Sequence, residues 1–123
     1  MKLHHSSQEG LNIIKAYTDD SVTINEEVFT RSVVVQANAL NREWTPQNID
    51  ELNVNAFEEL TQLDTEIILL GTGQQQRFPD RRLFTPLYDN KIGIEVMDTP
   101  AACRTYNILL EQDRAVTAVL LFG

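Results

Sequence analysis

Apolar residues recur at different spacings along the chain, and the points where the spacing changes divide it into elements. Residues 13–17 and 21–24 are short β-favouring runs separated by Thr18, Asp19 and Asp20, whose side chains hydrogen-bond their own backbone in turns. The pattern predicts a hairpin. A second turn at Asn25, Glu26 and Glu27 leads into a run at 28–30. Residues 32–37 then carry Val33, Val34 and Val35, too continuous for a strand with one wet face. The first third is therefore expected to be a β-meander. Residues 38–49 show neither period, and Trp44 and Pro46 within them suggest a loop pinned by the indole.

From residue 53 the period lengthens. Phe57, Leu60 and Leu63 recur with Glu58, Glu59 and Gln62 between them, as in an amphipathic helix covering a sheet. Residues 66–70 open on Glu66 and continue as an apolar run over 67–70 that breaks at Gly71-Thr72-Gly73, as expected of a central strand entering a turn. A polar loop follows over 74–79, and a helix is expected to start near Asp80 or, with Pro86 in its first turn, near Thr85. Residues 91–97 read as another buried strand, with Gly93 where a side chain would meet a neighbour. Asp98-Thr99-Pro100 then combines a capping residue with a proline at the start of a helix. In that helix Ala102, Cys103, Tyr106, Leu109 and Leu110 share an apolar face, while Arg104, Asn107, Glu111 and Arg114 follow a polar stripe. Residues 115–122 return as a final strand. The expected fold class is α/β: a single domain over residues 11–123, with a mixed β-sheet, an N-terminal hairpin or meander layer, and two to three helices packed on the sheet. Residues 1–10 are expected to be a flexible tail.

Composition narrows the function classes. The 123 residues allow one core, and their 42% hydrophobic content is enough to fill it. Ten basic residues against 18 acidic ones leave a net charge of −8, which repels phosphate backbones and anionic lipid. Nucleic-acid binding is not expected. Apolar runs such as residues 67–70 are far short of the roughly 20 residues a membrane helix requires, so no membrane insertion is expected. With one cysteine, Cys103, no disulfide can form within the chain, and a reducing, cytoplasmic location is the expectation. His4 and His5 are the only histidines, which leaves none in the folded part to activate a serine or cysteine nucleophile. No catalytic set, metal site or cofactor is expected.

Two segments still carry candidate chemistry. Gly71-Thr72-Gly73 sits at a strand end, where backbone N–H groups can approach an anion. Alone it lacks the remaining glycine and the adjoining helix of a dinucleotide fingerprint, and a tight turn at a sheet edge is the favoured reading over a nucleotide site. Asp98 and Thr99 open a helix whose first N–H groups are unpaired, with Arg104 a turn further on. If the two parallel strands end side by side, the segments converge as ligand sites in open α/β sheets do. Gly71, Thr72, Gly73, Asp98, Thr99, Arg104 and Asn107 are thus the candidate ligand-binding residues, and Tyr106 with Asn107 the candidate partner-binding pair. In the alternative, Asp98 and Thr99 only cap the helix and Arg104 pairs with a surface carboxylate. Cys103 is either activated by the helix start and Arg104 or buried and inert.

The run Gly93-Ile94-Glu95-Val96-Met97-Asp98-Thr99, followed by residues 102–110 from Ala102 and Cys103 to Leu110, then Arg114 and Val116, resembles a domain family that includes the third assembly factor of mitochondrial respiratory complex I. With residues 69–73, the resemblance covers 66–121 and departs at Gln112 and Asp113, where similar proteins often carry glutamate and glycine. It implies a compact α/β fold with a β-rich first half. It also implies a protein-interaction or assembly module working with protein partners, with no catalytic set to carry over. The alternative function is a small anionic-ligand binder or enzyme using the Gly71 and Asp98 segments.

Overall fold

Two apolar layers form on opposite faces of one five-stranded sheet, and the alternation of side chains along its strands assigns residues to each. The computed structural model describes residues 10–122. The strands are β1 (Ile14–Tyr17), β2 (Val22–Ile24), β3 (Glu27–Phe29), β4 (Val33–Gln36), β5 (Ala39–Asn41), β6 (Ile67–Thr72), β7 (Gly93–Met97) and β8 (Val116–Leu121). The helices are α1 (Val54–Leu60), α2 (Thr85–Asp89) and α3 (Thr99–Glu111), with short 3-10 turns at Ile49–Glu51 and Arg81–Phe84. The large sheet has the order β5-β4-β8-β6-β7; β6 runs parallel to both β7 and β8, and β4 antiparallel to β8 and β5. Strands β1, β2 and β3 form a separate antiparallel sheet.

Period-two geometry sends Val33, Val35, Leu69, Val116, Ala118 and Leu120 to one face, where they meet α3 and the three-stranded sheet. Val34, Ile68, Leu70, Val119 and Leu121 point the other way, into a layer closed by Trp44, Phe57, Leu60, Phe84 and Leu87. Both faces being covered explains the unbroken apolar runs 33–35 in β4, 67–70 in β6 and 118–121 in β8. The mixed sheet, the hairpin layer and three helices agree with the fold class read from the sequence.

Several details differ from the sequence reading. The meander stops at β3, because β4 leaves it to pair with β8 in the large sheet. Residues 38–49 are not all loop: Ala39–Asn41 pairs back on β4 as a short edge strand, too brief to register as a period. The buried Trp44 does pin the segment that follows, and Ser32 Oγ donates to its carbonyl oxygen at 3.2 Å. Strand β7 is the opposite edge and is not buried; Gly93 and Glu95 are exposed, and Ile94, Val96 and Met97 are half-buried. A Cβ on Gly93 would meet nothing closer than 3.6 Å, so packing does not demand glycine there. Gly71 is the position that does: a Cβ would lie 2.9 Å from the Thr99 Cα and 3.1 Å from the Ala102 Cβ, because α3 crosses β6 at that point. The expected tail, with His4 and His5, lies outside the described residues apart from Gly10.

Candidate functional site

The converging strand ends are real, and their geometry follows from the parallel pairing. Gly71 on β6 is opposite Met97 on β7, which brings the turn after β6 against the start of α3. The Thr99 N–H donates to the Gly73 carbonyl at 2.8 Å, and the Gly73 N–H donates to Thr99 Oγ1 at 2.8 Å. Thr99 Oγ1 in turn donates to the Leu121 carbonyl at 2.6 Å, linking the ends of β6, β8 and α3 through one buried hydroxyl. Thr72 Oγ1 lies 2.6 Å from the Gln75 carbonyl oxygen and 3.2 Å from that of Met97, and accepts from the Arg77 N–H. Asp98 caps α3 by accepting from the Ala101 N–H at 2.8 Å. Gly71, Thr72, Gly73, Asp98 and Thr99 are therefore brought together, and the polar groups that would cradle an anion are engaged with one another.

Arg104 and Asn107 belong to a different place. Both lie against β1, where Asn107 Nδ2 donates to the Ile14 carbonyl at 2.7 Å and Asn107 Oδ1 accepts from the Ile14 N–H at 3.1 Å. The carboxamide thereby acts as one residue of a neighbouring strand and fastens the three-stranded sheet to α3. Tyr106, fully buried, donates its hydroxyl to the Asn12 carbonyl at 2.8 Å, and burial holds its phenol above the ordinary range. Arg104 Nη1 donates to the Tyr17 hydroxyl at 2.8 Å. Strand β1 shifts register between Ile14 and Ala16, which opens a small cleft of about 200 Å³ among Lys15, Tyr17, Arg104 and Asn107. Cys103 reaches this cleft from below but is 1% exposed. Desolvation pushes its thiol up to about 12 against the opposing pull of Arg104, so at neutral pH it is a protonated core residue.

The opposite face presents a surface that the sequence pattern does not single out. Phe57, Phe84 and Tyr88 stack edge to face, with centroids 5.1 and 6.3 Å apart, carrying an aromatic line from the core to the surface. Tyr88 is 53% exposed at its end, Phe78 in the preceding loop is 70% exposed, and Val54 at the start of α1 is 41% exposed. The four-residue spacing of Phe84 and Tyr88 was the available signal, hidden because Phe84 ends a 3-10 turn and Tyr88 lies in the five-residue α2 that follows it. Between α1 and α2 runs a groove of about 500 Å³ lined by Val54, Glu58, Thr61, Pro86, Asp89 and Asn90, among others. Among the described residues no cluster of three or more histidine, cysteine, aspartate or glutamate side chains is placed to hold a metal, and no helix is long and apolar enough to cross a membrane.

Comparison with known proteins agrees with this architecture. The family model described as "Protein of unknown function (DUF498/DUF598)" matches residues 14–121, which is nearly all of the described chain. The chain belongs to this DUF498/DUF598 family. It is 28% identical over 86 residues to the bovine NADH dehydrogenase [ubiquinone] 1 alpha subcomplex assembly factor 3, a match covering 62% of this chain and 47% of that protein. The chain thus spans about half the length of that relative. It is 21% identical over 122 residues to a 13 kDa major membrane protein of Francisella tularensis, covering 98% and 99% of the two chains. Among solved structures, a Bordetella parapertussis protein superposes with a TM-score of 0.86 at 30% identity, over 93% of this chain and 98% of that one. This domain is accordingly related to the complex I assembly factor.

Proposed function

We propose that this DUF498/DUF598 domain is a protein-interaction module of the assembly-factor kind, and that α1, α2 and the loop before α2 form its working face. The observation that carries this reading is the exposure of Val54, Phe78 and Tyr88 on α1, the loop before α2, and α2, with Tyr88 ending an aromatic line from the core; the other exposed large apolar side chains among the described residues, Tyr17, Val28 and Ile108, lie one each on β1, β3 and α3. Aromatic side chains with one buried and one wet edge are the usual anchors of protein interfaces. The relation to an assembly factor supports protein partners, and the reduced, buried Cys103 fits a cytoplasmic setting.

The test is co-isolation of the tagged full chain from its own cells. Wild-type protein is expected to migrate in a complex larger than itself, and Phe78→Ser with Tyr88→Ser is expected to return it to the free position while the domain stays folded, its thermal midpoint lowered only by the lost Tyr88–Phe84 contact. A wild-type chain that is always free, or a complex indifferent to both substitutions, overturns the reading.

A second reading has one observation of its own. In the β1–α3 cleft, Arg104 bonds only the neutral Tyr17 hydroxyl among the described residues, and Lys15 stands beside it at 3.9 Å from Glu26, so a small carboxylate or phosphate would find two cations there. On this reading the anion site consists of Arg104, Lys15 and Tyr17, with Asn107 shaping the cleft. Gly71, Thr72, Gly73, Asp98 and Thr99 support it by fixing the N-terminal end of α3, about a turn from Arg104. Arg104→Gln should then abolish any thermal shift produced by phosphate or citrate; a shift that survives removes this site.

A further inference from the structure

Resting on the interaction reading above, we infer that the groove between α1 and α2 receives a basic segment of a partner protein, one that offers a lysine or arginine beside an apolar side chain. The groove of about 500 Å³ is lined by two apolar side chains, Val54 and Pro86, together with two carboxylates, Glu58 and Asp89. The domain's five side-chain ion pairs join Lys15 to Glu26, Arg42 to Glu27, Arg77 to Asp50, Arg82 to Asp80 and Arg114 to Glu66, all among the described residues. Glu58 and Asp89 take part in none of these. No lysine or arginine lines the groove. The nearest basic cluster, Arg81 with Arg82, lies across Thr85 in a separate depression, and there Arg82 is already held by Asp80.

The aromatic line Phe57–Phe84–Tyr88 holds α1 and the segment leading into α2 against one core, so the walls are fixed before anything binds. Charge also selects the class of occupant. A second copy of this chain brings a net charge of −8 to an acidic groove, whereas a cationic segment is drawn toward it.

The probe is a short amphipathic lysine–leucine peptide titrated into isotopically labelled full-length protein and followed by amide NMR. Shifts are expected to centre on Val54, Glu58, Thr61, Asp89 and Asn90. Glu58→Gln with Asp89→Asn should weaken binding about tenfold, while Asp19→Asn with Asp20→Asn, at the β1–β2 turn, leaves it unchanged. Raising salt should weaken binding to wild type more than to the groove variant. Shifts spread evenly over the acidic surface, or equal loss in both variants, overturn the proposal. So does self-association through the same residues in sedimentation without peptide, which would make a second copy the occupant. The interaction reading fails separately: a cellular complex that depends on Phe78 and Tyr88 but tolerates Glu58→Gln with Asp89→Asn keeps that reading and removes the groove.

Discussion

Thr99→Val removes one hydroxyl at almost constant volume, at the point where β6, β8 and α3 meet. Thr99 is 4% exposed, its Oγ1 accepts from the Gly73 N–H at 2.8 Å, and it donates to the Leu121 carbonyl at 2.6 Å. Valine fills the same space, so no cavity opens and no clash arises. What changes is that a buried N–H loses its acceptor and a buried carbonyl loses a donor. An unsatisfied buried group costs about 1–3 kcal/mol, and the carbonyl loses the smaller amount because it keeps a second lone pair for other donors. The expected loss is about 3 kcal/mol, or roughly 12 °C in Tm at about 4 °C per kcal/mol for a chain of this size. Urea unfolding followed by tryptophan fluorescence measures it through Trp44, the single tryptophan. The m-value should be unchanged, since the surface exposed on unfolding is the same. Thr99→Ser, which keeps the hydroxyl, should lose about 1 kcal/mol for its missing methyl. A Thr99→Val loss below about 0.5 kcal/mol, or one no larger than that of Thr99→Ser, refutes the argument that this hydroxyl joins the three elements.

Other outcomes follow from the same geometry. Gly71→Ala places a Cβ 2.9 Å from the Thr99 backbone and should destabilise by about 1–3 kcal/mol in urea, whereas Gly93→Ala at the open edge should change stability by less than about 0.5 kcal/mol. Asn107→Ala removes both bonds to Ile14 and should cost about 2 kcal/mol, with amide exchange accelerated in β1, β2 and β3 before the large sheet. Asp80, bonded by the Arg82 side chain and backbone, is held down to about 2, so its carboxyl carbon should titrate there by NMR and return toward 3.8 in Arg82→Gln. Because that folded value is depressed, whatever Asp80 adds to stability is present above its unfolded value and lost as pH falls through about 2. Cys103 has the opposite sign: its thiol is pushed up to about 12 from 9.0, so its contribution is complete below 9.0 and declines as pH rises above that value. At pH 8, iodoacetamide should therefore label Cys103 only at the rate at which the domain opens. Fast labelling in the folded state would contradict its burial.

The elements legible in the sequence were those whose local signal and tertiary role coincide. Asp98-Thr99-Pro100 marked the start of α3 because capping needs only the residues beside it, and the Asp98 carboxylate does accept from Ala101. The unbroken apolar runs of β4, β6 and β8 required two covered faces, which the structure supplies. Strand β5 was illegible because its three residues lean on β4 rather than on any period of their own. Strand β7 looked buried because Ile94 and Val96 are apolar, but a run of five residues does not say whether a neighbour lies on both sides. At the candidate site, proximity was readable from strand order and orientation was not. The turn after β6 and the start of α3 do meet, yet the Thr99 hydroxyl faces Gly73 and Leu121, and Arg104 bonds Tyr17 eighty-seven positions away. Asn107 looked like part of a solvated stripe, since nothing in α3 indicates that β1 will arrive against it. The exposed Tyr88 was missed for a related reason: exposure is fixed by the packing of Phe57 on Phe84, residues from separate elements.

The central claim is that the α1–α2 face meets a partner protein, and site-specific photocrosslinking in cells tests it most directly. A benzophenone amino acid would replace Tyr88 in one strain and Tyr17, on the opposite face, in another. The account expects a discrete adduct of defined mass from position 88, lost on adding Phe78→Ser, and none from position 17. Adducts from position 17 alone, or the same diffuse ladder from both, would contradict it.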